Sequence, residues 1–234
     1  MAVNEPIRDR RRGALIKATI AVIARHGASG TTVERVARKA GVSAGLMNFH
    51  FDSKERLFRE TFRHLSEEYE DVWQQNLRSA GSDPRARLRQ MVQSNFDHRI
   101  FTREKLAVWF TFWSDARLRD RYRAAATRIE RRYTEAIERE VAALLAREHR
   151  SSRKPADIAQ PLMAMIDGFW LQALLYPRGF LREDAIEVCI TFIEQHDAAV
   201  RFEHAQSLQH VLEGRIEEIF LRLQRRFRVT RAYG

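Results

Sequence analysis

The stretch SAGLMNFH, residues 43–50, combines small residues with an amide, an aromatic ring and an imidazole. The Asn48 amide has the geometry to bond with two atoms on the edge of an adenine, and His50 can donate to guanine or to a phosphate. An exposed Phe49 ring could cover a thymine methyl group, although a partly buried core ring is an equal alternative for this residue. These side-chain types suit contact with nucleic acid.

A second group of residues has the chemistry of a cation-binding site. Trp109, Phe112 and Trp113 stand at i, i+3 and i+4 and share one helix face, while Asp167 and Trp170 share another. Aromatic rings with a carboxylate suit a quaternary ammonium ion, which carries charge but has no N–H to donate. Asp167 lies in an almost continuous apolar run, so it needs an arginine, a helix terminus or a cationic ligand. Aromatic residues at helical spacing are more often core, and that alternative stays open.

The positive charge of the chain is concentrated at its two ends. Lys and Arg outnumber Asp and Glu by 13 to 6 in residues 1–63 and by 7 to 4 in residues 198–234, whereas residues 64–197 balance at 21 each. A basic end on a neutral body indicates a polyanionic partner. Nucleic acid is favoured over an anionic membrane because no apolar run reads as long enough to span one.

The elements that must position these residues are all helices, because apolar residues recur at helical spacing and almost nowhere alternate. A chain of 234 residues, 44% hydrophobic, can hold a small domain and a larger one. The single cysteine, Cys189, has apolar neighbours, which indicates a buried thiol, and the N-terminus lacks a signal peptide, so we expect a cytoplasmic protein. Helices are predicted near residues 8–26, 31–40, 43–50, 54–78, 84–98, 102–115, 118–149, 155–176 and 182–196.

A helix-turn-helix is predicted around the first of these groups. Thr31 with Glu34 three residues later has the pattern of a capping box, and Gly41 can end the helix in the left-handed conformation. Ser43 can cap the next helix, which is short because Asp52-Ser53 is a further start signal. An ordinary helical hairpin is less favoured, because the second helix is too short and too polar on one side to serve the core.

Residues 8–60 resemble the DNA-binding domain of the TetR family of transcriptional repressors. The matching residues are Thr31-Thr32, Val36-Ala37, Ala40-Gly41-Val42-Ser43, Gly45, Phe51, Ser53-Lys54 and Leu57. The resemblance implies that the third helix enters the major groove and that Lys54 binds a phosphate. The expected DNA contacts are Thr32, Ser43, Ala44, Gly45, Asn48, Phe49, His50 and Lys54, with the Arg10–Arg12 run as further phosphate candidates. Family members commonly carry Tyr at the position of Asn48, so base preference cannot be transferred.

Segments between residues 95 and 196 resemble the choline-sensing, BetI-type branch of this family, whereas residues 198–234 depart from its pattern. The matching segments are NFD at 95–97, WFTFW at 109–113, ERR at 130–132, MIDGFWLQALL at 165–175 and FIEQH at 192–196. The resemblance implies a choline-responsive regulator of glycine betaine synthesis and choline uptake genes. The side-chain chemistry supports an aromatic cage, with an expected ligand set of Trp109, Trp113, Trp170 and Asp167 and with Phe112 and Asp97 as weaker members. The resemblance also implies a homodimer formed by the last two helices, where Ala164 and Gly168 allow close approach, and therefore a palindromic operator on double-stranded DNA.

Three regions follow: a DNA-binding domain over 1–60, a ligand-binding and dimerisation domain over 61–197, and an amphipathic basic helix over 198–234. We expect that last helix to pack on the body or on a partner subunit, with a second nucleic-acid or membrane contact as the alternative. No enzyme motif, cofactor motif or metal-ligand spacing is present in the sequence, so we expect no enzyme, no cofactor and no metal. A repressor that senses an unrelated hydrophobic or cationic metabolite remains the alternative function.

Overall fold

The computed structural model of the protein describes residues 7–147 and 154–198. Every regular element in these ranges is an α-helix, which confirms the predicted all-α class. The helices are α1 Ile7–Gly30, α2 Val33–Ala40, α3 Ala44–His50, α4 Lys54–Ser79, α5 Pro84–Ser94, α6 Arg103–Ser114, α7 Ala116–Arg147, α8 Ala156–Leu175 and α9 Arg182–Ala198. The predicted basic helix over 198–234 lies outside the described residues, apart from Ala198.

The chain divides into two compact units. Among the described residues, unit 1 holds those up to Ser79 together with Asp97–Tyr133, and unit 2 holds Ala80–Phe96 and those from Thr134 onwards. Unit 1 therefore contains α1 to α4, α6 and the first part of α7. Unit 2 contains α5, the rest of α7, α8 and α9. The predicted domain boundary at residue 60 stays a prediction.

In unit 1, α1 packs against α2, α4 and α6. Its buried face carries Leu15, Ile16, Ile20 and Ile23, each no more than 5% exposed. Full burial of one such side chain contributes about 1.5–3 kcal/mol. This face therefore supports α2, and α3 packs in turn against α2.

The junction between α1 and α2 differs from the prediction. Gly27 takes the left-handed φ of 67° expected at a helix end, yet helical residues continue to Gly30. The Thr31 hydroxyl donates to the Gly27 carbonyl at 2.7 Å, so this hydroxyl bonds with the end of α1. Thr32 is the residue that caps α2, and its Oγ1 accepts from the Arg35 N–H at 3.3 Å. The predicted capping box of Thr31 with Glu34 is therefore wrong, and the N-cap of α2 lies one residue later.

The helix predicted over 84–98 is also shorter in the structure. It ends at Ser94, and the Asn95 amide Nδ2 turns back to donate to the Met91 carbonyl at 2.9 Å. The following residues form turns, in which the Asp97 carbonyl accepts from the Phe101 N–H at 2.8 Å. The side-chain amide of Asn95 competes with helix continuation, which periodicity alone does not reveal.

In unit 2, α9 packs against α5 and α8. Cys189 of α9 is fully buried, and burial raises the pKa of its thiol to about 12, as expected for an inert core cysteine. By length and composition α8 could span a membrane, with 20 residues and a mean hydropathy of 1.3 in its most apolar window. This corrects the prediction that no apolar run reaches that length. Ile158, Leu162 and Ile166 of α8 are nevertheless buried within unit 2.

Candidate functional site

A three-residue turn joins α2 to α3. Gly41 takes φ 68° and ψ 31°, where a residue with a Cβ would cost about 1–2 kcal/mol. The Val42 N–H donates to the Ala37 carbonyl at 3.0 Å and closes α2. Ser43 then caps α3, with its Oγ accepting from the Leu46 N–H at 3.2 Å. The predicted helix-turn-helix is confirmed.

One side of α3 is anchored in the core of unit 1. Met47 is fully buried, and Phe51, whose N–H donates to the Met47 carbonyl at 2.8 Å, is 1% exposed. Val36 and Ala37 of α2 are buried as well. Because the buried residues lie on one side of this seven-residue helix, its other side faces solvent.

The solvent side of α3 carries the predicted contact residues. Those that are exposed are Ser43, Ala44, Gly45 and Phe49, and His50 is half-buried. Phe49 is 70% exposed, and its ring meets the His50 ring edge-on with the centroids 5.5 Å apart. The alternative of a partly buried core ring for Phe49 is therefore wrong. Asn48 lies on α3, but its side chain is outside the described part.

Lys54 has a structural contact that the sequence did not suggest. Its Nζ donates to the Ala28 carbonyl at 2.9 Å and lies 5.2 Å from the centroid of the Phe58 ring. The ammonium group therefore ties the end of α1 to the start of α4, one short connection after α3. Whether it also reaches a phosphate stays a prediction.

Further cations surround the turn. Arg38 and Lys39, in the last turn of α2, are exposed, and sequence reasoning missed them although both stand within three residues of Gly41. Arg10 and Arg11 are exposed, whereas Arg12 forms an ion pair with Glu60 of α4. A narrow helix with a polar outer side and flanking cations can enter a major groove about 12 Å wide while the cations meet phosphates.

The aromatic residues predicted on α6 lie in one row in the core of unit 1. The Trp109 ring centroid is 5.4 Å from that of Phe62, 6.4 Å from that of Tyr69 and 6.1 Å from that of Trp113. Trp109 is 6% exposed and Phe112 is 2% exposed, whereas Trp113 is only half-buried. Trp113 is thus the member of this trio with the most surface left for another molecule.

Two more aromatic residues, Trp73 and Tyr133, extend this row, and sequence reasoning missed them. The Tyr133 ring of α7 lies 5.5 Å from Tyr69 and 5.6 Å from Trp73, all of them buried. The available signal was the i, i+4 spacing of Tyr69 and Trp73 on α4.

The carboxylate of Asp97, also in unit 1, is held by Arg99. The Arg99 Nε and Nη2 donate to its two oxygens at 2.9 and 2.8 Å. These hydrogen bonds lower the pKa of Asp97 to about 2, so the group is ionised and engaged at neutral pH. Its predicted role toward a ligand stays a prediction.

Asp167 and Trp170 belong to α8 in unit 2. Trp170 is 4% exposed, and its Nε1 donates to the Asn95 carbonyl at 3.0 Å. That bond satisfies the only polar group of the indole, so Trp170 is anchored as a core residue. Asp167 is half-buried one turn before it, and the ligand role of both stays a prediction.

The outer side of α8 carries an exposed stripe. Its members recur at intervals of three or four residues, and Leu171 and Leu175 are 41% and 56% exposed. The stripe comprises Ala164, Gly168, Leu171 and Leu175, all of them exposed. Small residues followed by exposed leucines on one side of a helix suit close packing against another helix.

Comparison with known proteins matches most of the chain. Residues 15–61 match the family described as bacterial regulatory proteins of the tetR family, and residues 84–198 match the C-terminal domain of BetI-type transcriptional repressors. The HTH-type transcriptional regulator BetI of Paraburkholderia phymatum is 33% identical over 192 residues, which cover 80% of this chain and 93% of that protein. These families are transcriptional regulators, not enzymes.

Solved structures share the fold. A transcriptional regulator from Pseudomonas aeruginosa PAO1 aligns with a TM-score of 0.71 at 24% identity and covers 83% of this chain and 93% of its own. A transcriptional regulator from Saccharomonospora viridis, solved in complex with choline, aligns with a TM-score of 0.64 at 22% identity and covers 80% and 96%.

Proposed function

This chain belongs to the TetR family and carries a BetI-type C-terminal domain, and from that premise we propose that it is a cytoplasmic, dimeric repressor that responds to choline. The genes it controls would be those of choline uptake and glycine betaine synthesis. The observation that carries the DNA-binding half of this proposal is the solvent side of α3, where Phe49 is 70% exposed beside the fully buried Met47. The BetI name of its relatives supports the metabolic half.

In the proposed complex, α3 lies in the major groove of double-stranded DNA. Phe49 covers a thymine methyl group, Asn48 and His50 bond with base edges, and Ser43, Ala44 and Gly45 allow close approach of the helix. Thr32 and Lys54 bind phosphates on either side.

Two such helices would read a palindromic operator if the protein is a dimer. The stripe on α8 supports this arrangement, because four exposed small or apolar residues on one helix side gain from being covered by a symmetry mate. Choline would then favour a state in which the two α3 helices no longer fit the operator.

The proposed ligand is a quaternary ammonium ion bound through aromatic rings. Trp109, Phe112 and Trp113 of unit 1 supply such rings, and a cation over a tryptophan face gains about 0.5–2 kcal/mol. The choline complex of the S. viridis regulator shows that a protein of this fold can bind the ion. A repressor of the same type that senses another hydrophobic or cationic metabolite is the second candidate, because aromatic rings also bind apolar molecules.

We expect Lys54→Gln to weaken binding to operator and unrelated DNA alike and to reduce the slope of log K against log salt by about 0.9 per protomer. The free energy of unfolding should fall by about 1 kcal/mol, since the bond to the Ala28 carbonyl is lost. Fluorescence anisotropy over a salt series measures the slope. The charge-matched control is Arg103→Gln, at an exposed position of α6. If the slope is unchanged and stability is reduced, Lys54 stabilises the contact between α1 and α4 and does not bind a phosphate.

The effector proposal is tested by thermal unfolding with choline and with its neutral isostere, in which carbon replaces the quaternary nitrogen. A ligand that binds only the folded state stabilises it by about 2.7 kcal/mol at a hundred times its Kd. Choline should raise the unfolding temperature, whereas the isostere should leave it almost unchanged because it lacks the charge. Equal shifts with both would favour a hydrophobic effector, and no shift with choline would exclude it as the ligand.

A further inference from the structure

The first half of α7 is strongly basic. Residues 117–132 contain seven arginines and two acidic residues, although residues 64–197 as a whole are neutral. All of this stretch belongs to unit 1, the unit that contains the helix-turn-helix. A local block of like charge on a neutral background needs a reason, because it repels itself.

The contacts of Tyr122 fix where this block begins. Its hydroxyl donates to the Glu55 carbonyl, in the first turn of α4, at 3.0 Å. Its ring stacks on Phe62 with centroids 5.7 Å apart and an interplanar angle of 23°. The part of α7 around Tyr122 therefore lies beside the first two turns of α4.

Contacts further along show that α7 runs in the same direction as α4. Arg132 forms an ion pair with Glu70 at 2.8 Å, and Tyr133 packs on Tyr69 at 5.5 Å. Because Tyr122 lies between Glu55 and Phe62, an advance of about ten residues on α7 corresponds to an advance of about ten on α4. The residues that precede Tyr122 consequently lie level with the start of α4, where the chain has just left α3.

Arg117 and Arg119 lie at that end of α7. The Asp115 carboxylate caps α7 by accepting from the Arg117 and Leu118 N–H groups at 3.0 and 3.1 Å, and Leu118 is buried. Both flanking arginines are exposed, and neither forms an ion pair with another described residue. Arg59, one turn after Glu55 on α4, is exposed and equally without an ion pair among the described residues.

We propose that Arg59, Arg117 and Arg119 form a second cationic surface that binds the DNA phosphate backbone next to α3. The surface is called the α7 surface below. It rests on the proposed DNA-binding function and extends the contact from the helix-turn-helix to a helix of the regulatory region. Phosphate contacts of this kind add affinity for any sequence, so the α7 surface strengthens binding and leaves base preference to α3.

The test compares the wild type with the double variant Arg117→Gln/Arg119→Gln and with the control Arg78→Gln/Arg103→Gln. The control removes the same charge from two exposed positions, Arg78 near the end of α4 and Arg103 at the start of α6. The start of α6 lies beside the second half of α4, where Lys105 pairs with Glu68 at 2.6 Å, so both control positions are far from the start of α4. Anisotropy titrations over a salt series use the operator and an unrelated duplex of equal length. Each lost phosphate contact reduces the slope of log K against log salt by about 0.9.

We expect the slope of the α7 double variant to fall by the equivalent of up to about two phosphate contacts per protomer, equally on both duplexes. The slope of the control should equal that of the wild type. If the double variant and the control both show the slope of the wild type, the proposed α7 surface is wrong and the proposed function is unaffected. A loss confined to the operator would overturn it too, since phosphates carry no sequence. Failure of the wild type to bind any duplex would overturn the proposed function and this inference together.

Discussion

Phe49→Ala should bind operator DNA at least tenfold more weakly than the wild type and unfold at the same denaturant concentration. A 70% exposed ring contributes little to the core, so its removal should change the free energy of unfolding by no more than about 0.5 kcal/mol. Burial of a Phe side chain against another molecule contributes about 1.5–3 kcal/mol, which corresponds to a factor of about ten to more than a hundred. Anisotropy titration with operator and unrelated duplexes, together with urea unfolding, measures both quantities.

The adjacent buried residue provides the matched control. Phe51 is 1% exposed, so Phe51→Ala should cost about 3–5 kcal/mol of stability and lose all DNA binding through unfolding. Phe49→Ala should leave binding to the unrelated duplex unchanged, because phosphate contacts remain. Equal weakening on both duplexes would show that Phe49 does not read bases.

Trp113→Ala should raise the choline concentration for half-maximal release of operator DNA by at least tenfold. Trp113 is half-buried, so its ring can meet a ligand, and loss of a desolvated cation–π contact costs about 2 kcal/mol or more. Operator affinity without choline should stay within a factor of two or so, because α6 lies outside α3 and its turn. The measurement is a choline titration of the preformed protein–DNA complex.

Variants of the neighbouring tryptophans separate ligand binding from folding. Trp113→Phe keeps an aromatic face and should retain most of the response, whereas Trp109→Ala should cost about 3–5 kcal/mol of stability because its ring is 6% exposed and packed on Phe62 and Tyr69. A Trp113→Ala protein that folds, binds operator and responds to choline like the wild type would remove Trp113 from the ligand site.

The turn between α2 and α3 could be predicted from the sequence because its chemistry is local. Gly41 supplies a conformation that other residues resist, and Ser43 supplies an oxygen for a free N–H, so two residues define the motif. The sequence could not distinguish Thr31 from Thr32 as the cap of α2, because two adjacent threonines offer the same hydroxyl. Only the end of α1, which bonds the Thr31 hydroxyl, distinguishes them.

Tertiary contacts decided what the sequence left open. Periodicity could not choose a side for Phe49, because a helix as short as α3 completes only two turns. The bond from Lys54 to Ala28 joins residues 26 positions apart, and the aromatic row joins α4, α6 and α7. The basic start of α7 does not appear in the net charge of residues 64–197, because acidic residues elsewhere in that range balance its arginines.

The most direct test of a choline-responsive repressor is anisotropy titration of the wild-type protein with DNA from upstream of its own gene, at fixed salt, with and without choline. The account predicts binding at least a thousandfold tighter than to an unrelated duplex, roughly the lower limit for specific regulators, and a clear change of Kd when choline is added. Equal affinity for both duplexes would contradict the assignment of α3, and an operator Kd unchanged by saturating choline would contradict the proposed effector.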